Sequence, residues 1–529
     1  MSLPRVISAF SLLMTSLSCM LGSGWLFGSF YTAKIAGSAA LISWVIGGGL
    51  IALIALTFSE LSTCLPLAGG LTRFADVTHG KTVSFCMSFL AWLSCVAVAP
   101  TEVQAILQYL AHQYPWLVHK VDGVTVLTQA GLVIAVLLLL AVCWINRWGA
   151  QLLTRFNSGI TIWKITIPLL TAITLISSGH FHWDNFSQPQ PFWSEGWHGV
   201  LAAIPGAVIF SFLGFSEATQ LAAETKKPQS AIPIAVLGSV GIGLVLYVVI
   251  QFAFIGAIEP SALLHGWGQM SFDHDNGPFA GIALTMGLGW LAQLIYMDAV
   301  ISPTGAAIIY TTTTARLNYA ASQTKILPNW FSRLNQHHVP AASIWFNFVI
   351  GLLLLAPFPS WQTLIQFQSM ALVIAYGIAP ICLISLRNLA PTLHRPFRLP
   401  WPKLICLMTF MVCNMLVYWS GWSTVWRLIG CLALGFIVYL IATNKLTQRL
   451  ACARFLIPHF ISLGLLSYLG NYEGGLNLLP DGIDYLWLAL HSLIILQLAY
   501  RQRIDSKTCQ HNLSQMALPN QNSDVNEAR

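Results

Sequence analysis

The sequence predicts an all-α polytopic membrane protein of about fourteen transmembrane helices, on three observations. Of its 529 residues, 56% are hydrophobic and only 8% are charged, with a mean hydropathy of +0.69. A chain of that size and composition has too little polar surface to fold in water. Apolar runs of about 20 residues, the length that crosses a hydrocarbon layer, recur from one end to the other with short polar joints between them. The runs lie at residues 6–30, 38–64, 83–111, 125–145, 158–178, 200–222, 233–256, 279–312, 341–358, 361–386, 403–421, 424–443, 455–470 and 485–500. The thirteenth, at 16 residues, is the weakest. When the 25 Lys and Arg residues are sorted by this topology, 21 fall on the side of the N-terminus and three, Lys34, Lys120 and Arg427, on the other, with Lys164 inside a span. That bias places both termini in the cytoplasm, and a missed or invented span would erase it.

Other classes find little support. The net charge of +7 comes from loops that report orientation, so nucleic acid is not implied. The eleven cysteines lie mostly inside spans, without a CxxC pair or a His partner at ligand spacing, so neither disulfides nor a metal site is expected. Arg5 followed by an apolar run ending in LSC resembles a lipoprotein signal, but cleavage before Cys19 would halve the first span. Loop residues Asn318–Pro340 leave room for a short surface helix, and the polar tail 501–529 reads as disordered.

The first span, MTSLSCMLGSGWLFGSF over Met14–Phe30, is interrupted by Gly22, Ser23 and Gly24. Glycine costs about 1 kcal/mol against alanine inside a helix, and unwound backbone at membrane depth is tolerated only where it lines a protein cavity. Small residues that let a neighbouring helix pack closely are the plainer explanation. A second Gly/Ser-interrupted span, IFSFLGFS over Ile209–Ser216, opens a second set of five spans as the first opens the first set. Paired interrupted helices are the best sequence pointer to a binding site for a transported solute, and they favour the broken-helix reading.

Charges inside spans cost about 2.5 to 3.5 kcal/mol each on insertion scales and mark candidate chemistry. Lys164, in ITIWKITIPLL of the fifth span, either snorkels to the near interface or is a desolvated lysine that loads and releases a proton. Asp298, in YMDAVISPTGA of the eighth span, is a second proton site or a structural carboxylate bonded to backbone freed by Pro303. Glu102, in VAPTEVQ of the third, is a third candidate or lines an outer vestibule.

GSGWLFG in the first span, SFLGFSEATQLAAETKKPQSAIP in and after the sixth, and PLAGGLTRFADVTHG after the second resemble the amino acid-polyamine-organocation permeases over residues 6 to 445. The two spans beyond twelve, with DAVISPTGAAIIYTTTTAR, resemble the aspartate/glutamate transporter branch. The resemblance implies a leucine-transporter-like core of two inverted repeats, residues 6–178 and 200–386, with broken helices 1 and 6, plus accessory spans over 403–500. It implies substrate contacts at Met20, Leu21, Gly22, Ser23, Gly24, Phe210, Ser211, Phe212, Gly214 and Phe215. The carboxylate would take backbone N–H groups and the hydroxyl around Ser23 and Gly24, and the ammonium would face carbonyls near Met20, Leu21, Phe210 and Ser211. Helix-end electrostatics suit a zwitterion independently, since half-helix N-termini attract anions and C-termini cations. Phe212 and Phe215 would flank the side chain or gate it. In proton-coupled members a fifth-span lysine replaces the sodium ion of relatives, and Lys164 fits that position.

The expected function is secondary transport of an amino acid, possibly acidic, across a bacterial inner membrane. It would be driven by the proton gradient with no cofactor and no metal, and exchange of amino acids or amines is the alternative. Partners are the amino acid, protons and membrane lipid, and the sequence carries no signature of oligomeric state. An enzyme would need a nucleophile or metal constellation, and HExxH, GxSxG and GxxxxGK[ST] are all absent from the chain.

Overall fold

The computed structural model describes the chain except residues 1–4, 68, 122–123, 149, 273–274, 324–326, 338, 443–450, 481 and 516–529. The protein is an all-α polytopic membrane protein. Twelve described stretches are long and apolar enough to cross a membrane, and Ala9–Met20 and Ala341–Leu355 are shorter apolar helices. Because Ser23–Cys64 contains both the second half of the first span and the whole second span, these helices match the fourteen predicted. The weak thirteenth is the helix Leu456–Leu469.

Three local expectations are corrected. The eighth span is Gly289–Gln323 rather than 279–312, and Pro278–Thr285 is a separate short helix before it. The polar run that looked like a span end stays helical because its threonines bond back one turn, Thr311 to the Ala307 carbonyl at 2.7 Å and Thr314 to that of Tyr310 at 2.5 Å. Asn318 therefore lies inside the span, buried, and donates to Asn347 at 2.8 Å; among the described residues the loop beyond holds a 3-10 turn at Asn329–Ser332 and no helix longer than that. The tail, read as disordered, forms a helix over Ser506–Gln515 with Cys509 buried, and just ahead of it Ile504 N–H bonds the Thr78 carbonyl. The small antiparallel hairpin of Val118–Val121 with Val124–Leu127 had no forecast.

The two interrupted spans pack against each other within the largest described buried cluster. The first is the half-helix Ala9–Met20, a non-helical pair Leu21–Gly22, and the half-helix Ser23–Ala36. The sixth runs from Gly196 to Gln220 in short pieces. Its sharpest departure from helical geometry is at Gly206 (φ −78°, ψ −112°), ahead of the predicted Ile209–Ser216. Leu213–Ser216 is a tightened 3-10 turn. The two spans are also joined at their ends on the N-terminal side, where Ile7 pairs with Thr225 in a short parallel bridge.

On that same side the buried Glu60 carboxylate, near the end of Ala40–Cys64, receives Arg387 through two bonds (2.8 and 2.6 Å) and the Leu399 amide at 2.8 Å. Arg395 approaches it at 3.8 Å. A buried carboxylate survives desolvation only when its lone pairs are filled in this way, and the cluster ties the second span to the end of the tenth.

Candidate functional site

The broken first helix has an ionisable side chain at each raw end. At the C-terminus of the first half-helix the Lys164 ammonium, fully buried, donates to the Ser18 carbonyl at 2.9 Å. Its stem and Nζ lie against Gly305 of the eighth span, 3.3 Å from where a Cβ would stand. A lysine so placed does not snorkel, and that reading is set aside. At the N-terminus of the second half-helix the buried Glu102 carboxylate accepts from the Ser23 amide at 2.9 Å and packs against Gly22, where a Cβ would collide with it. Glu102 thus belongs to the break and not to an outer vestibule. A cation at a helix C-terminus and an anion at an N-terminus both oppose the exposed ends of the macrodipole, and together they hold the break open.

Asp298 is held by three donors: the Trp25 indole at 2.9 Å, the Trp163 indole at 2.8 Å and the Ser302 hydroxyl at 2.5 Å. It is a carboxylate spanning the first, fifth and eighth spans, and its partners are side chains, not backbone freed by Pro303. By holding Trp163 it fixes the helix turn that carries Lys164.

The predicted contacts divide. The Met20 and Ser211 carbonyls both face the Tyr247 hydroxyl, at 2.9 and 3.1 Å, and share its single proton, so Tyr247 links the two breaks. Tyr247 is itself stacked on Trp44 at 4.8 Å. Gly24 serves close approach, since a Cβ there would lie 2.6 Å from Ser211 Oγ, and Gly214 likewise abuts the backbone of Cys19 and Met20. Leu21 is a non-helical residue of the break, buried, with its amide bonded to the Leu17 carbonyl. Phe212 and Phe215 pack into the core, the first against Trp44 and Tyr247, the second against Phe58 and Tyr376, and neither gates the break. Phe210 is the aromatic that faces it, edge-on to Trp361 at 5.8 Å.

Residues absent from the forecast complete the surround. Trp361 donates to Ser23 Oγ at 2.9 Å and stacks on Tyr31, with Phe27 at 5.0 Å, forming an aromatic layer along the second half-helix. Aromatic side chains inside an apolar run raise no signal in one sequence. The Gly206 break did leave one, the Pro205–Gly206 pair, which the neighbouring glycine at 214 overshadowed.

The Gly24 contact gives a test of packing. Gly24→Ala should lower both folding stability and uptake because Ser211 Oγ must shift, and Ser211→Ala in the same chain should recover most of the loss. An unrescued double variant would mean that the space beyond Gly24 serves something other than Ser211.

Two broken helices packed together within an array of membrane-length helices, with ionisable side chains at the breaks, fit a transporter. The amino acid permease family profile matches residues 6–456, and the chain belongs to that family. It is 36% identical over 504 residues to the glutamate/serine transporter AimA of Bacillus subtilis (strain 168), covering 93% of each chain. It is 35% identical over 500 residues to the aspartate-proton symporter of the same organism, covering 93% of this chain and 95% of that one. The methylthioribose transporter of that organism is 27% identical over 454 residues, with 84% and 94% covered. The protein is therefore a transporter and not an enzyme.

Proposed function

We propose that the protein carries an amino acid inward across the bacterial inner membrane together with a proton, with both termini cytoplasmic. The carrying observation is the pair of opposite charges at the two ends of one broken helix, Glu102 on the Ser23 amide and Lys164 on the Ser18 carbonyl. Protonation of either group changes how tightly the first helix is tied to the third or fifth span, which links a proton to the helix that binds substrate. The names of the two relatives above 30% identity support a small acidic or hydroxylated substrate and, for one of them, proton coupling. On this reading residues 6–178 and 200–386 are the inverted repeats and 403–500 the accessory spans. The substrate lies between Leu21–Gly24 and Gly206–Ser211, and the proton gradient is the only driving agent.

The test is uptake of labelled aspartate, glutamate and serine into proteoliposomes with nothing loaded inside. An acid-outside gradient should drive accumulation, and sodium should be without effect. Uptake that appears only after loading amino acid inside would replace symport with exchange.

A further inference from the structure

Beside the break lies a buried amide whose hydrogen-bonding capacity the protein does not use. Gln368, on the helix Trp361–Tyr376, is fully buried, and its Nε2 has no protein partner. Its Oε1 stands 3.3 Å from Thr101 Oγ1, whose hydroxyl is already committed to the Ala97 carbonyl at 2.8 Å. If the amide is turned over, Nε2 meets the threonine and Oε1 loses its neighbour, so one of its two polar atoms is unpaired either way. One helical step along, Gln104 repeats the pattern: its Nε2 donates to the Phe358 carbonyl at 3.1 Å and its Oε1 has no protein partner. Buried polar atoms are usually paired, and Gln368 is bonded to the helix turn that precedes Glu102, so its half-satisfied amide marks a place suited to a polar guest.

That place adjoins the site. Gln368 is seven residues beyond Trp361, hence on the same helix face two turns away, and Trp361 holds Ser23 Oγ. Thr101 precedes Glu102, which holds the Ser23 amide. Gln368 therefore sits on the third-span side of the break, away from Lys164, which is committed to Ser18 on the fifth-span side.

We propose that the Gln368 carboxamide reads the substrate's side chain and selects amino acids carrying a compact hydrogen-bond acceptor, carboxylate or hydroxyl, over aliphatic ones of similar size. This rests on the reading of the breaks as an amino acid site. An acceptor on the substrate completes the amide's bonding. An aliphatic side chain leaves the amide unpaired in a dry environment, which weakens binding about ten- to hundredfold. A neutral donor also explains how an acidic side chain is held at a break whose neighbouring cation, Lys164, is committed to the Ser18 carbonyl.

The experiment compares KM values for aspartate, serine, alanine and 2-aminobutyrate in proteoliposomes of the full chain. The wild type should favour aspartate or serine over 2-aminobutyrate by at least about tenfold, and equal KM values would overturn the proposal without any variant. Gln368→Met, which keeps length and removes the amide, should erase that preference while retaining alanine uptake. Gln368→Glu should lose aspartate more than serine. Variants that slow all four substrates in equal proportion would show that the amide merely holds a structural water. A wild type that transports no amino acid would instead defeat the reading of the site, a distinguishable result.

Discussion

Lys164→Ala is expected to bind substrate and to exchange it across the membrane, yet to lose accumulation driven by an acid-outside gradient. One-to-one coupling to a gradient of one pH unit supports about tenfold accumulation, equivalent to about 1.4 kcal/mol, and the variant should fall to unity. The reason is geometric. The ammonium bonds the last turn of the first half-helix through the Ser18 carbonyl and rests on Gly305, so it joins the first, fifth and eighth spans at one point. Its neutral form is a weaker donor and bears no charge for the half-helix C-terminus to attract, so protonation is felt as cohesion among three helices. Lys164→Arg should fail as well, because Gly305 leaves no room for a planar guanidinium. Adding Asp298→Asn to Lys164→Ala should not restore function, since Asp298 is satisfied by two indoles and a hydroxyl and does not depend on the lysine. Gradient-driven accumulation that survives in Lys164→Ala would take this residue out of the mechanism.

Much of the architecture was legible because it is written in one dimension. A hydrophobic run has a length, a loop has a charge, and a lysine or glutamate within an apolar run is an anomaly at its own position. That is why Gly22–Gly24, Lys164, Glu102 and Asp298 stood out and came together around one helix break. What remained hidden is pairing. Tyr247 joins Met20 to Ser211, Trp361 reaches Ser23 across 338 positions, and Thr101 meets Gln368 across 267. Nothing in the composition of those spans distinguishes a tyrosine that links two broken helices from one that fills a core. Phe212 and Phe215 show the converse: the resemblance implied a role beside the substrate, while their rings pack against Trp44 and Tyr247 and against Phe58 and Tyr376. The eighth span slipped by about ten residues because threonines that bond back to their own helix look polar while being internally satisfied.

Glu102→Gln should make substrate binding nearly independent of pH, and at mildly alkaline pH should raise affinity about tenfold or more over the wild type. The Glu102 carboxylate occupies the Ser23 amide, the first free N–H of the second half-helix and the natural seat for a substrate carboxylate. Two carboxylates about 4 Å apart repel by about 4 kcal/mol even at an effective dielectric constant of 20. On the proposed reading the substrate would enter only as Glu102 takes a proton or withdraws, so that substrate and proton arrive together. Glutamine keeps the shape and an acceptor oxygen for Ser23 but carries no charge, which removes the competition and with it the requirement for a proton. Binding followed by thermal shift or calorimetry from mildly acid to mildly alkaline solution reads this directly. In that assay Lys164→Ala, which leaves Glu102 in place, should still bind substrate in a pH-dependent way, separating the group that admits the proton from the group that turns it into helix cohesion. A Glu102→Gln protein whose affinity still rises with acid as steeply as the wild type's would show that the carboxylate is a structural cap on the half-helix and that the proton is taken up elsewhere.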